Sequence, residues 1–314
     1  MSTQPHHRSL NILFAFDGSQ HSKAAIELLG SLPLTETSNV IAIGVLIPRE
    51  SSNHSIMENA LELAGNLLRE KGFNTKTEIV LGNPAEKIIE FAGEFHPDLI
   101  VAGAKGLRHT LGIMLGGVVQ QIVEYSTQPV LVVRAPFSGL KRILIVTDGS
   151  KSSHAALEYF VGTSSSEPSL NVQHFPLPHE VEVRVMNVLP PLPSSDLLAR
   201  TWPVGPDMLP PIPPDLQEEA TWLKEEENRG HAIVDEAINY LQKNAGIIAI
   251  PALVRGDAAT EIIEYAKENE IDLIVAGSRG FSEMRSWLLG SVSRKLVHYA
   301  GCSVLIVKSP HISD

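Results

Sequence analysis

The chain has 314 residues, of which 43% are hydrophobic and 19% charged, and its formal net charge at pH 7 is −11. This length predicts two domains or one large domain, and the apolar content excludes a disordered or fibrous protein. The acidic balance argues against broad nucleic-acid binding, which requires a basic face.

The first half of the chain alternates short apolar runs with segments of helical periodicity. We predict strands at residues 11–16, 40–47, 75–81, 99–102 and 130–133, and helices at residues 55–71, 84–94 and 116–125. A further helix opens at the Asp-Gly-Ser turn of residues 17–19, directly after the first strand. The continuously apolar run at 99–102 is typical of a strand that is buried on both faces of a parallel sheet.

The second half repeats this order of elements. We predict strands at residues 142–147, 181–189, 247–254, 273–276 and 304–307, and helices at residues 218–244, 258–269 and 290–299. The Asp-Gly-Ser turn recurs 131 residues after its first copy, and the run Asp-Leu-Ile-Val-Ala-Gly at 98–103 recurs after 174 residues. This duplication predicts two tandem domains, residues 1–137 and 138–314. Strands separated by helices imply right-handed crossovers, so we expect an α/β fold with a doubly wound, mostly parallel sheet of five strands in each domain.

The second copy is longer than the first, and most of the extra length falls after its second strand. The core of this insertion, residues 190–214, is so rich in proline that it excludes a regular helix or central strand. Three interpretations stay open: a tolerated surface excursion, a proline-rich ligand for another protein, or a lid or docking arm. The last is favoured by the apolar side chains of Trp202, Met208 and Leu209, which prefer burial.

Two glycine-containing turns of the second copy are expected to meet at the carboxyl ends of its strands, where open parallel sheets bind ligands. The first is the Asp-Gly-Ser turn at residues 148–150. The second is Gly-Ser-Arg-Gly at residues 277–280, nine further residues, and Gly-Ser-Val-Ser at residues 290–293, which opens a helix. Glycines let a phosphate approach the backbone, and a helix N-terminus offers N–H groups and a favourable dipole. The pattern therefore predicts a phosphate site.

Side chains in these turns add matching chemistry. Ser291 and Ser293 offer hydroxyl groups, and Arg279 adds positive charge near the phosphates. Asp148 is an acceptor that suits a ribose hydroxyl or, less directly, a metal ion. Simpler interpretations stay open: Asp148 and its counterpart Asp17 cap the helices that follow them, and the glycines only form tight turns.

Together these turns resemble the nucleotide-binding signature of the universal stress protein family. The resemblance rests on the spacing Gly-x2-Gly-x9-Gly-Ser, the Asp-Gly-Ser turn and the Gly-Asn-Pro turn at residues 82–84, and it covers nearly the whole chain outside the insertion and the N-terminal tail. It implies two Rossmann-like domains of the adenine-nucleotide α-hydrolase type that bind ATP, or AMP or ADP in its place, with Mg²⁺ accompanying the phosphates. It also implies that the last strands, 130–133 and 304–307, pair within one chain as an intramolecular pseudo-dimer, and it leaves a homodimer open.

The resemblance further implies a role for each matching residue of the second domain. Asp148 and Gly277 would lie by the ribose, and the backbone of Val188 would contact the adenine. The glycines and serines of the loop would hold the phosphates. The predicted ATP-binding residues of this domain are Asp148, Gly149, Ser150, Val188, Gly277, Arg279, Gly280, Gly290, Ser291, Val292 and Ser293.

The first domain keeps the spacing of this loop but loses its serines, because Gly117 and Val119 stand where Ser291 and Ser293 stand. Each lost hydroxyl bond is worth about 0.5–1.5 kcal/mol, so phosphate binding weakens by roughly one to two orders of magnitude. We therefore expect ATP to bind well in the second domain and weakly or not at all in the first. The weaker equivalents in the first domain are Asp17, Val45, Gly103, Gly106, Gly116 and Gly117.

The remaining features exclude several kinds of site and location. Cys302 is the only cysteine, which excludes an internal disulfide and a cysteine-based zinc site and favours a reducing, cytoplasmic location. No apolar run reaches the roughly 18 residues of a membrane span, so no membrane association is expected. Residues 1–9 are polar and lack the apolar core of a signal peptide.

The sequence favours binding over turnover. No Ser-His-Asp order, activated cysteine or pair of catalytic carboxylates can be made out, and the loop lacks the Gly-Lys-[Ser/Thr] of a P-loop. The leading interpretation is a stress-response protein in which ATP occupancy regulates binding to an unidentified protein partner. Two alternatives are a slow Mg²⁺-dependent ATPase or phosphotransferase, and an adaptor that uses the proline-rich arm and holds nucleotide only structurally.

Overall fold

The computed structural model describes residues 9–34, 38–49, 54–106, 115–161, 175–178, 180–192, 216–280 and 289–308. Most of the proline-rich core of the insertion, residues 193–215, lies outside this part of the chain, and so do its apolar residues Trp202, Met208 and Leu209. None of the helices in the described ranges combines the length and the apolar character needed to cross a bilayer.

Both halves follow the predicted alternation of strands and helices. The first half consists of β1 (Asn11–Ala15), α1 (Gln20–Ser31), β2 (Asn39–Leu46), α2 (His54–Glu70), β3 (Asn74–Leu81), α3 (Pro84–Phe95), β4 (Leu99–Gly103), α4 (Gly117–Tyr125) and β5 (Val130–Val133). The second half consists of β6 (Arg142–Val146), α5 (Lys151–Val161), β7 (Glu182–Leu189), α6 (Leu216–Ala245), β8 (Ala249–Arg255), α7 (Ala258–Glu268), β9 (Leu273–Gly277), α8 (Ser291–Tyr299) and β10 (Ser303–Val307). The α/β class is thereby confirmed.

All ten strands form one continuous sheet, in the order β3-β2-β1-β4-β5-β10-β9-β6-β7-β8. The strands of each half are parallel, and the halves join where β5 and β10 pair antiparallel, with Leu131 opposite Leu305. The predicted pairing of the last strands is confirmed, and it fuses the two predicted five-stranded sheets into one. The carboxyl ends of β1 and β4, and of β6 and β9, then lie at one edge of the sheet in each half, which is where open parallel sheets bind ligands.

The core explains why these strands are so apolar. All four residues of β5 and all five of β10 are buried, because helices cover both faces of the sheet. The buried residues form two clusters, one on each face, and each cluster contains side chains from both halves. The two domains therefore share their hydrophobic layers as well as their sheet.

Two positively charged side chains form hydrogen bonds between the halves, beside the central strands β5 and β10. Arg134 follows β5 and donates from Nη2 to the carbonyl oxygens of Val297 (2.8 Å) and His298 (3.2 Å) at the end of α8. Lys308 follows β10 and donates from Nζ to the carbonyl oxygen of Val123 (2.5 Å) at the end of α4. The last-turn carbonyl groups of a helix have no partner within the helix, so each half supplies hydrogen bonds to the end of a helix in the other.

The Lys308 contact predicts a pH dependence of stability. Burial lowers the pKa of Lys308 to about 8, with the positive charge of Arg279 acting in the same direction and Glu124 against it. In the unfolded chain the pKa returns to about 10.4. Below pH 8 both states are protonated and the cost of burying the charge is fully present. Between pH 8 and 10.4 the native lysine loses its proton first, so its contribution to the free energy of unfolding rises with pH.

We compare the free energy of unfolding of the wild type with that of Lys308→Met. As the pH rises from 8 to 10.4, we expect the difference between them to change in favour of the wild type. Denaturant titrations of both proteins across this range measure the difference. The difference is informative because burial also raises the pKa of Cys302 to about 11, an opposing effect that both proteins share. Stability curves that stay parallel across the range would show that the folded environment does not perturb Lys308.

Candidate functional site

The aspartate of each Asp-Gly-Ser turn closes the turn, and the serine caps the helix. Asp148 Oδ1 accepts a hydrogen bond from the backbone N–H of Ser150 (2.9 Å), and Ser150 Oγ accepts one from the N–H of Ser153 (3.3 Å). Asp17 and Ser19 repeat the arrangement in the first half. The simpler interpretation of the aspartates as helix caps is therefore wrong, because the serine hydroxyl supplies the cap.

The two turns of each half lie against one another. A Cβ atom on Gly280 would stand 2.6 Å from Asp148 Oδ2, and one on Gly106 would stand 2.6 Å from Asp17 Oδ2. Gly149 has φ +81°, a region that favours glycine, which lets the chain turn sharply between the aspartate and the helix. The aspartate carboxylate is thus held beside the glycine loop, as the sequence predicts.

Two further glycines of the loop, Gly277 and Gly290, are also constrained by their surroundings, and the steric constraint is tighter at Gly277. A Cβ atom on Gly277 would stand 2.5 Å from the carbonyl oxygen of Ser152, so glycine is required there by the packing of α5 on β9. A Cβ atom on Gly290 would meet Arg279 Cα at 3.2 Å and the carbonyl oxygen of Ser278 at 3.3 Å, and the N–H of Gly290 donates to that oxygen at 2.8 Å. Gly277 therefore serves helix packing, and Gly290 closes the loop.

Helix α8 presents its N-terminus to the cleft. Its N-cap is Gly290, so no side chain occupies the first-turn N–H groups. Ser291 is exposed at this helix start, whereas Ser293 is 4% exposed and donates from Oγ to the carbonyl oxygen of Gly277 at 2.8 Å. The sequence predicts a phosphate contact for both hydroxyls, but Ser293 already donates to the backbone and, of the two, only Ser291 faces solvent.

The second-half cleft has a volume of about 180 Å³. Nine of the eleven predicted residues line it; Gly149 and Ser150 do not. Sequence reasoning missed Thr147 and Asn187, whose buried polar groups form its floor: Asn187 Nδ2 donates to the carbonyl oxygen of Thr147 at 2.8 Å. An asparagine between the apolar residues Met186 and Val188, near the carboxyl end of β7, was the available signal.

The first-half cleft is larger, with a volume of about 690 Å³. All six residues predicted as weaker equivalents line it. Apolar side chains that the sequence analysis did not single out complete it, among them Met57, Ile88 and Leu115. His298 also lines this cavity, although it belongs to the second half.

Comparison with known proteins leads to the same family as the resemblance in the sequence. The model of the universal stress protein family matches residues 9–134 and again residues 139–308. A universal stress protein of Mycolicibacterium smegmatis is 24% identical over 320 aligned residues, which cover 95% of this chain and 96% of the relative. Universal stress protein YxiE of Bacillus subtilis is 44% identical over 63 residues, and this alignment spans 20% of the chain and 43% of YxiE.

Solved structures agree on the fold. The crystal structure of a universal stress protein from Archaeoglobus fulgidus superposes with a TM-score of 0.61 at 18% sequence identity, covering 96% of this chain and 97% of that one. The family match covers nearly all of both halves, and the strand order of one half repeats in the other. The chain therefore belongs to the universal stress protein family and carries two of its domains in tandem.

Proposed function

We propose that the second-half cleft binds an adenine nucleotide, with ATP as the first ligand to test and ADP or AMP as its alternatives. The observation that carries the proposal is the meeting of an acceptor, Asp148, with a helix start at Gly290 that no side chain caps. A helix start of this kind favours phosphate through its N–H groups and its dipole. Arg279 lines the same cleft and adds a positive charge, while Asp148 suits a ribose hydroxyl.

The residues present fit the sugar and phosphates of a nucleotide better than they fit an apolar ligand. Thr147, Asn187 and Ser291 line the cleft with polar groups, and Val188 offers backbone groups at the end of β7 to the adenine. The volume of about 180 Å³ is below the range of roughly 300–1,000 Å³ that is typical of small-molecule sites. We therefore expect the cleft to widen when a nucleotide binds.

In this proposal the protein is a stress-response regulator in which nucleotide occupancy changes the contact between the halves. Helix α8 begins at the nucleotide cleft, and the carbonyl groups at its end accept hydrogen bonds from Arg134. A shift of α8 on binding is thereby transmitted to the first half, and from there to a protein partner. Mg²⁺ accompanies the phosphates.

Calorimetric titration of the full chain with ATP, with and without Mg²⁺, tests the proposal. We expect one saturating site per chain. Titrations with ADP and AMP rank the alternatives, and cAMP is included as a further ligand. No heat with any of these nucleotides, together with no thermal shift, would overturn the proposal.

The Ser291 hydroxyl gives a finer prediction. Ser291→Gly is expected to lower the affinity for ATP roughly tenfold, because a hydrogen bond to a charged phosphate is lost. Ser291→Thr keeps the hydroxyl and serves as the matched control, so it should stay close to the wild type. The same titrations measure both variants. Equal losses in the two would show that the side chain acts through helix packing and not through its hydroxyl.

A further inference from the structure

The first-half cavity has lost the polar groups that line its counterpart. Phe16 occupies the position of Thr147, and Gly44 that of Asn187, so the first half lacks the side-chain amide that donates to the backbone carbonyl group at the floor of the second cleft, and it lacks the threonine hydroxyl. Gly117 and Val119 replace the two serines at the helix start. The exchanges remove side-chain hydrogen-bonding groups without removing the space.

The helix that packs beside each cleft approaches the sheet in a different way. In the second half, α6 approaches the sheet through Gly230, where a Cβ atom would stand 2.7 Å from Leu189 Cδ2 and 3.3 Å from Asn187 Oδ1. In the first half, α2 instead covers Gly44 with the side chain of Met57, whose Sδ lies 3.2 Å from the position of a Cβ on Gly44. A thioether side chain is flexible and adapts to irregular apolar shapes.

We propose that the first-half cavity is a binding site for an uncharged, apolar small molecule with an aromatic or branched skeleton. Its volume of about 690 Å³ lies within the roughly 300–1,000 Å³ of typical small-molecule sites. Apolar side chains from β1, β2, β4, α2, α3 and α4 line it, together with Phe16 directly after β1. An apolar ligand buries its surface against these side chains, whereas a triphosphate would meet no side-chain hydroxyl at the start of α4, where Gly117 and Val119 stand.

Three polar side chains occur among the described lining residues, Asp17, Gln120 and His298, and they select a ligand with a hydrogen-bonding group. Gln120 of α4 and His298 of α8 both line the cavity. His298 comes from the second half, so the occupant contacts both domains. A hydroxyl, carbonyl or amide on the otherwise apolar ligand has donors and acceptors to meet there.

Fluorescence titration of the full chain with the neutral apolar dye N-phenyl-1-naphthylamine tests the proposal. We expect one site per chain and no displacement by millimolar ATP. Val45→Trp fills the cavity from β2 and is expected to lower the dye affinity by about tenfold or more. Val188→Trp changes the equivalent position of the second half and is the matched control, with dye binding within about twofold of the wild type.

A second variant keeps the test independent of how well the tryptophan is accommodated. Met57→Gln is close in size and half-buried, and we expect it to weaken dye binding several-fold, because the cavity wall becomes polar. No dye binding, competitive displacement of the dye by ATP, or sensitivity to Val188→Trp in place of Val45→Trp would each overturn the proposal. The proposed nucleotide site is judged separately by ATP titration, so the two proposals fail independently.

Discussion

Replacing Gly290 by valine is expected to lower the affinity for ATP about a hundredfold, equivalent to about 2.7 kcal/mol. The backbone at Gly290, with φ −62° and ψ 156°, is open to valine, so the variant should fold. Its Cβ would stand 3.2 Å from Arg279 Cα, which forces the glycine loop to shift. The branched methyl groups would also take up space beside the first-turn N–H groups of α8, where the phosphates are proposed to bind.

The first half supplies the matched control for this prediction. A Cβ atom on Gly116, the equivalent N-cap of α4, would meet its nearest neighbour, the carbonyl oxygen of Ala104, at an ordinary 3.5 Å. We expect Gly116→Val to leave ATP affinity within about twofold of the wild type, because Gly116 lines the first-half cavity and not the second-half cleft. Calorimetric titration of both variants decides the matter. Loss of binding in Gly116→Val and its retention in Gly290→Val would move the nucleotide to the first half.

The order of the elements could be predicted because local pattern and fold agree. The apolar run that forms β4 is buried along nearly its whole length, and its repeat forms β9, so the duplicated sequence led directly to a duplicated topology. The pairing of β5 with β10 followed from the family resemblance. Boundaries shifted by one or two residues where a cap decided them, as at α4, which begins after Gly116.

The shapes of the two clefts could not be predicted, because they depend on contacts between distant segments. The spacing of residues in the sequence does not predict that Gly230 lets α6 pack closely against β7. Nor does it predict that the side chain of Met57 packs over Gly44. Nor does it tell that His298 reaches the cavity of the other half. The hydroxyl of Ser293 is committed to the carbonyl group of Gly277, which requires the loop and the helix to be folded together. Functional groups that lie within a single turn could be predicted from the sequence. Contacts that depend on the packing of distant segments could not.

Within the glycine signature, we expect a substitution of Gly277 to lower the stability of the fold and not to remove a contact with the ligand. Gly277→Ala is expected to lower the free energy of unfolding by about 2–3 kcal/mol, because its Cβ would stand 2.5 Å from the backbone oxygen of Ser152. Backbone atoms of a packed helix have little freedom to move away. Gly103→Ala should behave alike in the first half, where the Cβ would stand 2.7 Å from the backbone nitrogen of Ser22.

Gly301→Ala is the control, since a Cβ atom there would meet nothing within 4 Å, and we expect a change within about 0.5 kcal/mol. Urea titrations of the three variants, with and without saturating ATP, measure the effects. If Gly277 acts through packing alone, ATP affinity is unchanged and its variant loses the same stability in both conditions. A loss of stability seen only with ATP present would make Gly277 a nucleotide contact, as the family resemblance implies. Gly103→Ala then separates the two roles, because the first half offers the same packing without the serines.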